Sequence, residues 1–123
     1  MKKILFIEDE PTLQKVLGDI LIAEDFNIVS ATDGESGLRL AQTEKPDLIL
    51  LDLILPQLHG LEVLKRLKTD EKTKTIPVII LTNIEEVAGI EAALEFGATT
   101  YLVKANYSLP EVVEKIKKAV ETK

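Results

Sequence analysis

Six residues in this chain place acidic, hydroxyl and ammonium groups where apolar runs end: Glu8, Asp9 and Glu10, then Asp52, Thr82 and Lys104. Carboxylate oxygens are the ligands that hard divalent cations prefer, and a carboxylate is also a nucleophile toward phosphorus. Asp52 is the most conspicuous of the six. It follows Leu48-Ile49-Leu50-Leu51 and precedes Leu53-Ile54-Leu55, a lone carboxylate within an apolar stretch. Buried charge is costly unless paired, so such an aspartate has a partner or a task. Taken singly, the others are ordinary. Glu10 reads as a solvated loop charge, Glu8 and Asp9 fit either a solvated or a functional role, Thr82 is a plain strand-end threonine and Lys104 a surface lysine. His59, the sole histidine, lies beside Gly60 in a loop-like stretch and reads as solvated, with no second imidazole from which to build a metal site.

The elements between these residues decide whether they meet. Lys3–Ile7, Asp47–Leu51, Pro77–Leu81 and Thr100–Val103 are near-continuous apolar runs, the pattern of strands covered on both faces, and Asn27–Ala31 is a weaker run suited to an edge. Helical periodicity fills the gaps. Leu13, Val16, Leu17, Ile20 and Leu21 follow Pro11, and the Asp33-Gly34 turn introduces a helix from Gly34 to Thr43. Leu61, Leu64 and Leu67 mark a third apolar face, Val87, Ile90 and Leu94 a fourth, with Gly97 where a C-cap tolerates positive φ. Leu109, Val112, Val113, Ile116 and Val120 mark the last, with Ser108 as N-cap and Pro110 just inside. A strand–helix unit repeated five times predicts an α/β fold, a five-stranded parallel sheet with right-handed crossovers and helices on both faces.

Ligands of such sheets bind beyond the carboxyl ends of the strands. All six residues fall there, so the fold brings carboxylates, a hydroxyl and an ammonium to one edge. Like charges ~4 Å apart repel by ~4 kcal/mol at an effective dielectric near ~20, so Glu8, Asp9 and Asp52 converge only with a cation among them. An all-oxygen site of few carboxylates suits Mg²⁺, which keeps waters and also binds phosphate. Lys104 adds a second positive charge, able to pair with Asp52 or with an incoming phosphoryl oxygen. A carboxylate so held is arranged to form an aspartyl phosphate, since phosphoryl transfer needs chiefly alignment and charge neutralisation.

Composition narrows the classes. With 123 residues, 46% apolar and 29% charged, the chain has room for one globular domain, read as a single unit over 1–123 without an output domain. The net charge of −6 argues against nucleic acid as a direct partner, and Lys115, Lys117 and Lys118 interleave with Glu111, Glu114 and Glu121 as a salt-paired face. No apolar run approaches a membrane span. The basic start Met1-Lys2-Lys3 is followed too soon by Glu8-Asp9-Glu10 for a signal peptide. The absence of cysteine removes disulfides and thiol chemistry, and the expected location is the cytoplasm.

Along its whole length the chain resembles the receiver domains of two-component response regulators. Glu8-Asp9 resembles the family's metal-binding pair and Asp52 its phosphoacceptor, with Pro56 and Gly60 at the family's spacing after it. Thr82 and Lys104 resemble its hydroxyl and lysine after the fourth and fifth strands, and Tyr101, three residues before Lys104, its switch aromatic. The resemblance implies a doubly wound, flavodoxin-like strand order 2-1-3-4-5. It also implies Mg²⁺ held by Glu8, Asp9, Asp52 and the Ile54 backbone carbonyl, and a histidine kinase or small acyl phosphate as donor. Its implied output is a partner-binding surface of the last two helices and fifth strand that alters when Thr82 and Tyr101 respond to phosphorylation. This is a switch rather than an enzyme, though one that assists its own phosphorylation and dephosphorylation. Two departures stand out: Ala105 follows Lys104 where the family has proline, often cis, and Asn83 follows Thr82 where it prefers a very small residue. A non-switching receiver-fold scaffold is the alternative; the complete constellation argues against it. An aspartyl phosphohydrolase is disfavoured by Ile54, which stands where such enzymes carry a second Asp.

Overall fold

A computed structural model describes residues 1–121. Its elements alternate as β1 (Lys3–Ile7), α1 (Pro11–Ala23), β2 (Asn27–Ala31), α2 (Gly34–Glu44), β3 (Leu48–Leu51), α3 (Gly60–Thr69), β4 (Val78–Thr82), α4 (Val87–Glu95), β5 (Thr100–Val103) and α5 (Leu109–Glu121). All neighbouring strands pair in parallel, in the order β2-β1-β3-β4-β5. From β1 the chain steps one way across the sheet to β2 and then back past β1 to β3, which sets a topological switch point between the carboxyl ends of β1 and β3.

The strands alternate strictly, and the sheet divides the core in two. Leu5, Ile7, Ile49, Leu51, Val78 and Ile80 point toward α2, α3 and Ala93 of α4. Ile4, Phe6, Leu48, Leu50, Ile79 and Leu81 point toward Leu17 and Leu21 of α1 and Val112, Val113 and Ile116 of α5. Period-two side-chain direction explains how one apolar run supplies both layers. β5 is the second edge of the sheet, so Thr100 and Tyr101 are only half-buried although the sequence reads that run as fully covered.

Helix boundaries follow local chemistry. Pro11 opens α1, and the Asp33 carboxylate accepts from Ser36 N–H at 2.8 Å to cap α2. Ser108 and Glu111 close a reciprocal capping box on α5, Glu111 Oε1 accepting from Ser108 N–H at 2.7 Å. Gly97, at φ 110°, ends α4 with Ala98 N–H donating to the Ala93 carbonyl, the Schellman pattern. His59 is exposed, as expected, and also caps α3 by accepting from Leu61 N–H on Nδ1 at 3.1 Å.

One helix departs from the sequence reading. Val87, Ile90 and Leu94 are spaced like a core face, yet Val87 is 69% and Leu94 48% exposed, Ile90 is half-buried, and Ala93 is the buried residue of α4. Gly89 and Ala92, half-buried, and the buried Ala93 are small, so α4 lies against its neighbours through its narrow side and turns Val87 and Leu94 outward.

Candidate functional site

Parallel register sets the core of the site. Ile7 pairs with Leu51, so Glu8 and Asp52, the next residue of each strand, stand level across the switch-point crevice. Two further hydrogen bonds extend the ladder, from Asp52 N–H to the Ile7 carbonyl at 3.0 Å and from Glu8 N–H to the Ala31 carbonyl at 2.9 Å. Both carboxylates are buried, Glu8 at 1% and Asp52 at 3% exposure. Lys104 reaches them from just beyond β5. Its Nζ lies 2.9 Å from Glu8 Oε1 and 3.0 Å from Asp52 Oδ2, with Glu10 Oε1 farther off at 3.7 Å.

A single ammonium does not balance this much negative charge. Burial is the largest influence on Glu8 and raises its pKa; the hydrogen bond from Lys104 opposes it, Asp52 adds to it, and the outcome is about 7. Lys104 responds in the opposite sense to its own burial. Burial disfavours its charge, but the bonds to Glu8 and Asp52 outweigh this and hold its pKa above the ordinary lysine value. The Thr82 hydroxyl, at the end of β4, is buried with no hydrogen-bond partner. A buried hydroxyl left unpaired costs on the order of 1–3 kcal/mol, so this one is free to donate to an acceptor placed beside it.

The loop after β3 is tied to the same place. Ile54 N–H donates to Asp52 Oδ1 at 3.1 Å, so both carboxylate oxygens of Asp52 are held, one by backbone and one by Lys104. Gly60 N–H bonds the Leu53 carbonyl at 2.9 Å, and a Cβ on Gly60 would stand 2.4 Å from Leu53 Cα and 2.5 Å from the Asp52 carbonyl oxygen. Only glycine lets α3 begin this close to the Asp52 backbone. Lys104-Ala105 is a trans peptide, as are all described bonds, and a short 3-10 turn over Lys104–Asn106 carries the chain onward.

Tyr101 is half-buried against the α2–α3 side of the core and its hydroxyl donates to the Ile84 carbonyl at 2.7 Å. Asp9 and Glu10 are exposed, and among the described residues no three carboxylate, imidazole or thiolate groups lie close enough together to hold a metal by themselves. The residues nevertheless suit a divalent cation: two buried carboxylates, Glu8 and Asp52, share the one ammonium of Lys104, which leaves negative charge for a cation to balance.

Gln14 escaped the sequence reading. From the second turn of α1 its Nε2 donates to the carbonyls of Phe6, Glu8 and Ala31, at 3.1, 3.0 and 3.0 Å. It thus clamps the ends of β1 and β2 on which Glu8 stands. A glutamine flanked by Leu13 and Lys15 carries no signal of this in sequence, since its partners are backbone groups of two other elements. A cleft of about 730 Å³ lies at the amino ends of the strands, lined by Pro46, Thr75, Pro77, Thr99 and α5 residues, and none of the chemistry above faces it.

Residues 4–117 match the family model described as "Response regulator receiver domain". The chain is 39% identical over 116 residues to the alkaline phosphatase synthesis transcriptional regulatory protein PhoP of Bacillus subtilis, covering 94% of this chain and 47% of that protein. It therefore spans about half the length of the curated relatives it matches. Among solved structures, the Mn²⁺-bound form of response regulator Rcp1 superposes with a TM-score of 0.87 at 30% identity, covering 100% of this chain and 97% of that one. The receiver domain of the sensor histidine kinase PA1611 from Pseudomonas aeruginosa PAO1, with magnesium coordinated in its active-site cleft, gives 0.88 at 26% identity and 98% coverage of both. With its five-stranded parallel fold and a receiver-domain match over nearly its whole length, this chain belongs to the response regulator receiver domains.

Proposed function

We propose that the domain is a phosphorylation switch whose acceptor is Asp52. The observation that carries this reading is the buried Asp52 carboxylate, level with Glu8 and bonded by Lys104 Nζ at 3.0 Å. A phosphodonor, a histidine kinase or a small acyl phosphate, presents its phosphoryl group at the crevice. An Asp52 carboxylate oxygen attacks phosphorus, the bond from phosphorus to the donor breaks, and the donor departs with that electron pair. Lys104 and the unpartnered Thr82 hydroxyl then bond the new phosphoryl oxygens. Hydrolysis by water returns Asp52 as a carboxylate and releases inorganic phosphate, the sense in which the domain assists its own dephosphorylation.

Glu8, Asp52 and the Ile54 carbonyl are the groups that would hold Mg²⁺, with Asp9 turning in from its exposed position to join them. Bound there, the ion supplies charge neutralisation for the phosphoryl oxygens. The phosphoryl group works by biasing two conformations through its differential contacts with each. Engagement of Thr82 favours the arrangement in which Tyr101 packs inward and bonds the Ile84 carbonyl, and this resets the surface of α4, β5 and α5 where a protein partner binds. Described helices include none long and apolar enough to cross a membrane, and we place the domain in the cytoplasm.

The test is intact mass after incubation with acetyl phosphate and Mg²⁺, beside Asp52→Asn and a chelator control. The expected result is one added phosphoryl group in the wild type only, and only with Mg²⁺. An adduct that persists in Asp52→Asn would move the acceptor elsewhere.

A further inference from the structure

Lysines gather at the end of the sheet away from Asp52. The cleft of about 730 Å³ at the amino ends of the strands is lined by Lys2, just ahead of β1, and by Lys115 and Lys118, one turn apart on α5. Asp47 is the one carboxylate among its lining residues, and its Oδ2 already accepts from Lys3 N–H at 2.7 Å. Lys117, between the two α5 lysines in sequence, pairs with Glu24 and Glu114 and does not line the cleft. Among the described residues Lys2 and Lys115 make no ion pair. The acidic edge of the sheet lies a five-residue strand away. That is about 15 Å, beyond the ~10 Å over which exposed charges act at ~0.1 M salt, so it does not neutralise these lysines. Thr75, Thr99 and Thr100 add hydroxyls at the heads of β4 and β5, and Pro46, Pro77 and Val120 add apolar lining.

We propose that this cleft is a second ligand site, one that takes a multiply charged organic phosphate carrying a flat apolar group, of the nucleoside triphosphate class. A lone carboxylate would match one ammonium, whereas three ammoniums against one engaged carboxylate call for a ligand with several negative charges. Lysine binds phosphate as a point charge from any direction, and threonine hydroxyls donate to phosphate oxygens. The proline rings and Val120 offer a ligand no side-chain polar group, so they accommodate the face of a base. The cleft is within the range of about 300–1,000 Å³ usual for small-molecule sites. Polymeric nucleic acid is disfavoured, because on a chain of net charge −6 an extended phosphate backbone would leave the cleft and meet acidic surface. Asp52 takes no part, so the site stands or falls independently of the switch reading.

The test is calorimetric titration of the whole domain with ATP in the presence of chelator, beside tripolyphosphate and adenosine as the two halves of the ligand. ATP is expected to bind with a Kd below about 1 mM, each half at least ~10-fold more weakly, and added salt should weaken the ATP complex. The double change Lys2→Gln and Lys115→Gln should weaken ATP at least ~10-fold. Thr99→Glu, at an exposed position of the cleft, should do the same by repulsion, while Asp52→Asn should bind ATP as the wild type does. A cooperative thermal transition checks that each variant folds. No binding at about 1 mM ATP would overturn the proposal. So would tripolyphosphate binding as tightly as ATP, which would reduce the cleft to an unspecific basic patch. An affinity that ignores both the lysine and the threonine changes would place the nucleotide elsewhere and overturn it equally.

Discussion

Glu8 shows how one residue carries the electrostatics of the site. Its pKa is about 7 in the folded protein against an ordinary 4.5, with burial as the main cause. Between those values the folded state keeps a proton that the unfolded chain has released. Stability is therefore highest below about pH 4.5 as far as Glu8 is concerned, and falls as pH rises to about 7, by up to about 3 kcal/mol. Denaturant titrations in chelator should show this slope in the wild type and lose it in Glu8→Gln. A slope that survives the substitution would place the titrating group elsewhere. Mg²⁺ requires ionised ligands, so its stabilisation should be larger at pH 8 than at pH 5.5. At this scale the sequence was informative where a residue's surroundings are written beside it. Asp52 could be singled out from its apolar neighbours, and Glu8 from its place after β1. Nothing in the sequence says that Lys104 reaches Glu8 as closely as Asp52, or that Gln14 holds three carbonyls, because these depend on side-chain reach across elements.

The segment from Asp52 to Gly60 is the element on which the acceptor depends, and it is built under opposing constraints. At its far end Gly60 lies against the Asp52–Leu53 backbone with no room for a Cβ. Midway, Gln57 adopts φ 68° in a tight turn closed by Leu58 N–H on the Pro56 carbonyl at 2.7 Å. An L-residue in the left-handed region gives up about 1–2 kcal/mol, and glycine gives back part of that through its freer unfolded chain. Gln57→Gly is therefore expected to stabilise by about 0.5–1 kcal/mol. Gly60→Ala is expected to destabilise by about 3 kcal/mol, the upper end for overpacking, since backbone cannot yield as a side chain does. Urea denaturation of both variants checks the pair; equal and small effects would mean that the loop relaxes freely. Pro56 and Gly60 were legible as turn chemistry, whereas the strain at Gln57 was not, because glutamine has no conformational signature. The strands were read to within a residue, since continuous apolar runs leave little choice in a parallel sheet. α4 was misread for a physical reason: three larger apolar residues at helical spacing look like a core face, and the actual inner face is made of Ala93 with Gly89 and Ala92 near it.

Across the whole molecule, stability is distributed unevenly, and the unevenness follows from how each helix meets the sheet. α5 buries Val112, Val113, Ile116 and Val120, α3 buries Val63, Leu64 and Leu67, and α1 buries Leu17 and Leu21. α4 buries Ala93 alone among its apolar residues, so its burial contributes a fraction of what a leucine-bearing helix gains at ~25 cal/mol per Å². Its N-terminus has no side-chain cap, unlike those of α2 and α3. Among the described residues the one long-range hydrogen bond on the β4–α4 connection is the Tyr101 hydroxyl on the Ile84 carbonyl, beside the partly buried Ile84 side chain against the core. Local opening occurs where few apolar contacts and few hydrogen bonds must be broken, so α4 and residues 83–86 should open before the rest of the fold. Native-state hydrogen exchange should find the α4 amides protected least among the helices, with α3 and α5 exchanging only near global unfolding. Tyr101→Phe removes the tie and should speed exchange at 83–90 while leaving α1 and α5 unchanged. If α4 instead exchanges together with α3 and α5, the domain opens as one unit. A phosphoryl group on Asp52 would then have no loosely held element to move, and the output surface would have to be sought elsewhere.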